Sequence, residues 1–313
     1  MELKKRLEQL GHGIFYLFLL AGGQLAAYLL LFPVIMVYVS TSRKIHRLVN
    51  PYVRRRFPGA GSGARLLHAF RLVLSFGRVL VDRGWLGLRR GARLKGDFDN
   101  SDVLIEALKE GRGLVLLTTH VGNWQTALAH IDLLGIRVNS LMHYAEEEVA
   151  KHFFDLKGVG PSFNIIKNDG FMGGMVEAAA ALSRGEVVTI MADRYAGGPA
   201  VEVDFFKDPV SFPAAAYGLA GATGAPVAVL LAAKTGRRSY RLHVWDLFYV
   251  ERRRGEGHDQ FVPAAARFAG ALETYLGEYP WQWYNFFDFW RPVITGYRGR
   301  SKVRKDGKSE KRT

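Results

Sequence analysis

The sequence predicts an α/β domain layered around a largely parallel sheet flanked by helices and preceded by an N-terminal transmembrane helix. Three observations carry this. The stretch from Gly13 to Val39 has no formal charge. From about residue 102 to 280, short strand-like runs alternate with helical patterns, as they do in α/β layered folds. One of these runs, Leu114–Thr119, is of the kind found in strands buried on both faces.

The N-terminal stretch comes first. Gln24 is its only strongly polar side chain. At ~1.5 Å per residue it would form a helix of roughly 40 Å, against a hydrocarbon core of ~30 Å. Tilt or a kink at Pro33 can absorb the excess. A cleaved signal peptide is the competing reading. It would have an apolar region of only about 7–15 residues and a small-residue cleavage site, whereas this stretch ends in Val37-Tyr38-Val39. Lys4, Lys5 and Arg6 precede it, and Arg43, Lys44, Arg47, Arg54, Arg55 and Arg56 follow it. That asymmetry favours a cytoplasmic location for the C-terminal part, with an anionic membrane surface beside the basic run.

Pro58 to Gly63 reads as a flexible joint before an amphipathic helix. In that helix Leu66, Leu67, Phe70, Leu74 and Phe76 alternate with Arg65, Arg71 and Arg78. A second basic cluster follows at Arg89, Arg90, Arg93 and Lys95. A solvated face and a membrane-surface contact explain these equally well.

Strands are expected at Arg137–Met142, Asn164–Lys167, Val187–Met191, Val201–Phe206, Val227–Leu231 and Tyr240–Trp245. Helices are expected at Asn123–Leu134, Glu146–Leu156, Gly173–Ser183 and Pro213–Thr223. The organisation is therefore an anchor over 1–45, an α/β domain over 46–297, and a basic, disordered tail over 298–313. No internal repeat is visible.

With 313 residues, of which 49% are hydrophobic, the chain can bury one sizeable core. The absence of cysteine excludes disulfides, thiolate metal sites and cysteine nucleophiles. The formal charge of +14, from 43 basic and 29 acidic residues, favours an anionic partner. Nucleic acid is disfavoured because the basic residues lack groove-reading or aromatic motifs and the membrane segment argues against it. No Gly-rich phosphate loop is present.

The chemistry concentrates where Leu114–Thr119 ends. It delivers His120 to a strand C-terminus, followed by Gly122, Asn123 and a helix start. Sites in α/β sheets gather outside the carboxyl ends of strands. A glycine lets substrate approach the backbone, and a helix N-terminus offers free N–H groups. Histidine there can take a proton from an attacking hydroxyl while the N–H groups stabilise an oxyanion. A histidine hydrogen-bonded in a turn is the plainer alternative. His130 and Asp132 read as surface residues of the following helix.

His120-Val121-Gly122-Asn123-Trp124 resembles the His-x-Gly-Asn-Trp core of the bacterial lipid A late acyltransferase family. That family falls within the glycerolipid acyltransferase superfamily, whose hallmark is His-x4-Asp/Glu. Met191-Ala192-Asp193-Arg194, Val203-Asp204-Phe205-Phe206, Phe212-Pro213 and Gly224-Ala225-Pro226-Val227 resemble its second conserved region. Trp283 to Trp290 resembles its aromatic C-terminal segment.

The resemblance implies acyl transfer from a thioester, acyl carrier protein or acyl-CoA, to a hydroxyl of a membrane lipid, with no metal or tight cofactor. His120 would be the base. Gly122, Asn123 and Trp124 would face substrate, beside Asp193 and Arg194. Arg194 is a candidate grip for an anionic group on lipid or donor. A salt bridge to an acid such as Asp193 is its alternative. The aromatic segment is expected to pack in the core with a partial role in an acyl groove.

One departure stands out. The acidic residue expected at position 125 is Gln125. Glutamine accepts a hydrogen bond but supplies no charge to an imidazolium. Slower catalysis, rescue by Asp132 or Asp193, and a non-catalytic lipid-binding descendant are the three consequences open at this stage.

Overall fold

In the computed structural model, which describes residues 2–88, 94–123, 136–142, 163–168, 171–195 and 197–291, a seven-stranded mixed sheet organises the chain. Its strands are β1 (Lys95–Asp99), β2 (Leu114–Thr118), β3 (Val138–Met142), β4 (Asn164–Lys167), β5 (Val187–Met191), β8 (Val227–Lys234) and β9 (Ser239–Phe248). A separate hairpin is formed by β6 (Ala200–Phe205) and β7 (Asp208–Pro213). The sheet order is β1-β9-β8-β2-β5-β3-β4. All neighbours are parallel except β8 and β9.

β2 lies at the centre. Val115 and Leu117 belong to one apolar cluster, and Leu114 and Leu116 to the other. Successive side chains point to opposite faces of a strand, so a run without polar residues is what a strand covered on both sides requires. β1 was not expected. Its sequence, Lys-Gly-Asp-Phe-Asp, is largely exposed at the sheet edge, where charge blunts unwanted pairing.

The described helices are α1 (Glu2–Thr41), α2 (Arg43–Arg56), α3 (Ser62–Leu88), α4 (Ser101–Lys109), α5 (Met175–Ser183), α6 (Ala215–Thr223) and α7 (Val262–Glu278). α6 ends at Gly224, whose φ of 71° supplies the left-handed cap, and Pro226 follows. The expected helices at Asn123–Leu134 and Glu146–Leu156, the cluster Arg89, Arg90 and Arg93, and the tail from Arg298 lie outside the described residues. The β6–β7 turn places Phe206 and Lys207 at φ 52° and 68°, and the Phe206 N–H donates to the Glu273 carboxylate on α7.

α1 contains a stretch, Gly13–Thr41, long and apolar enough to cross a membrane. Its break in helical geometry falls at Gly23 (φ 65°), while Pro33 stays within the helix. The break therefore falls at a glycine, which reaches dihedrals that other residues resist, rather than at Pro33, where a kink was one of the two ways considered to absorb the excess length. Leu19, Ala27, Leu31, Ile35 and Val39 are buried, whereas Leu17, Leu25, Leu29 and Val37 are exposed. The buried stripe packs on α3, where Gly77 admits Leu31 and Ile35 and Gly84 admits Leu19.

The basic run after α1 divides into two uses. Arg55 pairs with Asp208 (2.6 Å) and covers the Trp290 ring, and Arg56 donates to the carbonyls of Leu276 and Gly277. These two dock α2 on the domain, whereas Arg43, Lys44, Arg47 and Arg54 remain exposed.

Candidate active site

The parallel pairing of β2 and β5 builds the site. Thr118 is the register partner of Met191, and the Ala192 N–H donates to the Thr118 carbonyl (3.0 Å). Two residues beyond that pair, the chain reaches His120 on one strand and Asp193 on the other. Parallel neighbours lie ~4.8 Å apart, so residues separated by 73 positions arrive side by side at the carboxyl end of the sheet.

His120 Nδ1 lies 2.8 Å from Asp193 Oδ1, and the His120 backbone N–H donates to Oδ2 at 3.0 Å. The Trp283 indole N–H donates to the same Oδ2 at 2.9 Å. The side chain of Asp193 is 0% exposed and that of His120 21% exposed. Burial works against the Asp193 charge, but the His120 imidazole, the His120 N–H and the Trp283 indole outweigh it. They hold the carboxyl below its ordinary value. An ionised Asp193 only accepts, so Nδ1 carries the proton and Nε2 is the basic nitrogen.

The turn itself is clamped. The Tyr284 N–H donates to the His120 carbonyl (2.7 Å) and the Gly122 N–H to the Gln282 carbonyl (3.2 Å), with Val121 bridging to Trp283. Gly122 has φ 48°, and a Cβ there would sit 2.0 Å from the Ala232 carbonyl oxygen. Close approach of β8 therefore accounts for this glycine, and its N–H is already engaged. Gly122→Ala is expected to cost about 3 kcal/mol, from overpacking plus the left-handed backbone. Thermal unfolding checks this, and an unchanged midpoint would show that β8 moves aside freely.

Asn123 is buried at 2% exposure. Trp124, Gln125, His130 and Asp132 lie outside the described residues. Arg194 sits over the Phe287 ring (5.9 Å). Both oxygens of Asp193 are taken by His120 and Trp283, so the adjacent acid is committed elsewhere. Trp283 and Tyr284 were expected to pack in the core with a partial role in an acyl groove. Their hydrogen bonds to the site follow from where the segment crosses the turn, which local pattern does not encode.

A cavity of about 1080 Å³ lies nearby, with Lys44, Arg47, Tyr195, Phe287, Trp290 and Arg291 among its lining residues. Neither His120 nor Asp193 lines it. Trp283 links the two regions: its indole is bonded to Asp193 and its ring lies 6.2 Å from that of Trp290 on the cavity wall.

The fold and this geometry define a class of α/β protein with a histidine–carboxylate pair at its parallel strand ends and one N-terminal helix long and apolar enough to cross a membrane. The chain belongs to the bacterial lipid A biosynthesis acyltransferase family, whose model matches residues 73–291. Membership implies lipid A acyltransferase activity, with an acyl donor and a lipid A precursor as acceptor. No individual curated protein matches the chain.

Proposed function

We propose that the protein transfers a fatty acyl group from an acyl thioester, carried by acyl carrier protein or CoA, to a hydroxyl of a lipid A precursor. The reaction takes place at the cytoplasmic face of the inner membrane. The observation that carries this reading is the 2.8 Å contact between His120 Nδ1 and the buried Asp193 carboxylate. His120 Nε2 removes the hydroxyl proton as the oxygen attacks the thioester carbonyl. The tetrahedral intermediate then collapses by breaking the C–S bond, and the imidazolium returns its proton to the leaving thiolate. Asp193 acts as a positioning residue, fixing the tautomer and stabilising the transient imidazolium. It thereby takes the place left by Gln125, so its role is to orient His120 rather than to contact substrate.

The cavity near Trp283 brings Lys44, Arg47 and Arg291 together with Glu202, Asp288 and the rings of Phe287, Phe289 and Trp290, and suits part of an amphiphile with a charged headgroup. Arg194, at the same edge, remains the candidate grip for an anionic group. The exposed cations of α2 supply a face for an acidic carrier protein or for anionic headgroups.

The alternative, a lipid-binding protein without turnover, rests on Gln125. Incubating purified protein with acyl-carrier-protein thioester and lipid A precursor separates the two. His120→Ala is expected to lower transfer by about 10²–10⁴, the usual contribution of a general base. Gln125→Glu should leave the rate close to wild type, because Asp193 already holds Nδ1. Binding of lipid with no transfer by the wild type would establish the alternative. A large gain in Gln125→Glu would show that Asp193 does not serve as the partner.

A further inference from the structure

A second cavity, of about 770 Å³, opens between α1, α3, the β8–β9 turn and residues 278–282. Its charged walls are Arg71, Arg78, Lys234 and Arg237, opposed by one carboxylate, Glu278. Lys234 is committed to Asp82 at 2.5 Å. Arg71, Arg78 and Arg237 are exposed and form no ion pair with the other described residues. Arg71 lies over Trp281 (4.8 Å) and Arg78 over Tyr28 (5.8 Å), which holds their guanidinium groups at the opening.

Leu67, Phe70 and Leu74 on α3 give the cavity one apolar wall, beside the polar Ser75, Thr235 and Gln282. Phe70 meets Phe32 of α1 edge-on at 5.2 Å. From there the apolar surface continues over the exposed Phe32, Leu29 and Leu25 of the anchor helix. Cations at the mouth and an apolar trough leading onto a membrane helix together fit one chemistry, a phosphate on an acyl-chain lipid. A free polyanion would leave the trough unused, and an uncharged lipid would leave the three guanidinium groups unused.

The cavity is also mechanically tied to the His120 turn without including it. Gln282, one of its walls, accepts from the Lys234 N–H (2.7 Å) and donates to the Lys234 carbonyl (2.9 Å). Its own carbonyl receives the Gly122 N–H. We propose that this cavity binds the phosphate headgroup of a bilayer phospholipid, with an acyl chain along Leu67, Phe70 and Leu74, as a site separate from the reacting lipid. Its occupant rests against the peptide that braces His120.

Full-length protein in a neutral maltoside detergent, titrated with acyl-brominated phosphatidylglycerol, tests this without any turnover. Quenching that is present in wild type and absent in Trp281→Phe reports the cavity. Phosphatidylglycerol is expected to reach half-saturation at about tenfold lower mole fraction than brominated phosphatidylcholine. The triple variant R71Q/R78Q/R237Q should erase that preference while keeping the wild-type melting midpoint. Unlabelled lipid A precursor is expected to displace the brominated lipid no better than unlabelled phosphatidylglycerol does. Equal quenching by the two brominated lipids, or a preference that survives the triple variant, would overturn the proposal. So would preferential displacement by the precursor, which would make the cavity part of the acceptor site.

Discussion

Asp193→Asn is expected to lower acyl transfer by about 10³–10⁴ with the fold retained, the scale seen when a serine-protease triad aspartate becomes an amide. The amide can still fill the space beneath His120, but it cannot offset an imidazolium. It can also turn its NH₂ toward Nδ1, which drives the proton onto Nε2 and removes the basic nitrogen. The loss should fall on kcat rather than KM, because Asp193 is fully buried and its oxygens face His120 and Trp283 rather than substrate. Asp193→Glu should recover part of the rate, since it restores charge but misplaces it. A purely structural residue would lower folded yield without this split between kcat and KM.

The same pair makes an acid-stability prediction. The Asp193 carboxyl is held below its ordinary value in the folded protein, so its contribution is fully present above the unfolded value of about 3.9. It is lost as pH falls through the lower folded value. Asp193→Asn should therefore be less stable than wild type at neutral pH and should lose less on acidification. Melting midpoints from pH 7 down to about 3 measure this, and parallel curves for the two proteins would contradict it.

The sequence reading reached the apolar strands of the sheet more readily than its charged edge strand β1, for physical reasons. β2 and β5 are central runs that burial on both faces keeps apolar, and their limits were readable to within a residue; β4, the other edge strand, was read from its Ile165-Ile166 pair. β1 is an edge strand of charged residues and gave no such pattern. The same holds for β7, which contains Pro209 and Pro213 and pairs only within a hairpin. His120 could be placed from local pattern because a strand end, a glycine and a turn coincide there. Asp193 could only be named as one of two rescue carboxylates. Choosing it requires the β2–β5 register, a long-range pairing with no local signature. Gly122 was recognised as special because substrate was expected to approach it; the close Ala232 carbonyl of β8 is a reason the local sequence does not show. Arg55 and Arg56 read as membrane-facing by charge, yet docking of α2 consumes both.

Asp82→Ala is expected to destabilise the protein by about 3–5 kcal/mol, the range for removing one partner of a buried ion pair. Asp82 lies on α3 with 0% exposure, and four groups donate to it: Lys234 Nζ (2.5 Å), Tyr240 OH (2.5 Å), Gln24 Nε2 (2.8 Å) and Tyr28 OH. Gln24 is the one strongly polar residue of the apolar stretch. It is 1% exposed, and its oxygen receives Arg238 Nε at 2.8 Å. The polar position in α1 is therefore a docking point, and Asp82 joins α1 to β8 and β9 through it.

Burial pulls the Lys234 ammonium below the ordinary lysine value while the Asp82 charge opposes that shift. Truncating Asp82 thus leaves a poorly solvated cation and three donors without their acceptor. At roughly 2–4 °C per kcal/mol for a chain of this size, the melting midpoint in detergent should fall by roughly 10 °C. Loosening should appear first between α1 and α3, as faster tryptic cleavage at Arg43 and Lys44. The paired change Asp82→Leu with Lys234→Met removes both charges and should regain much of the loss, because no buried charge is then left alone. If Asp82→Ala melts with the wild type and α1 stays protected, the apolar stripe from Leu19 to Val39 alone holds α1 in place, and the polar cluster contributes nothing measurable.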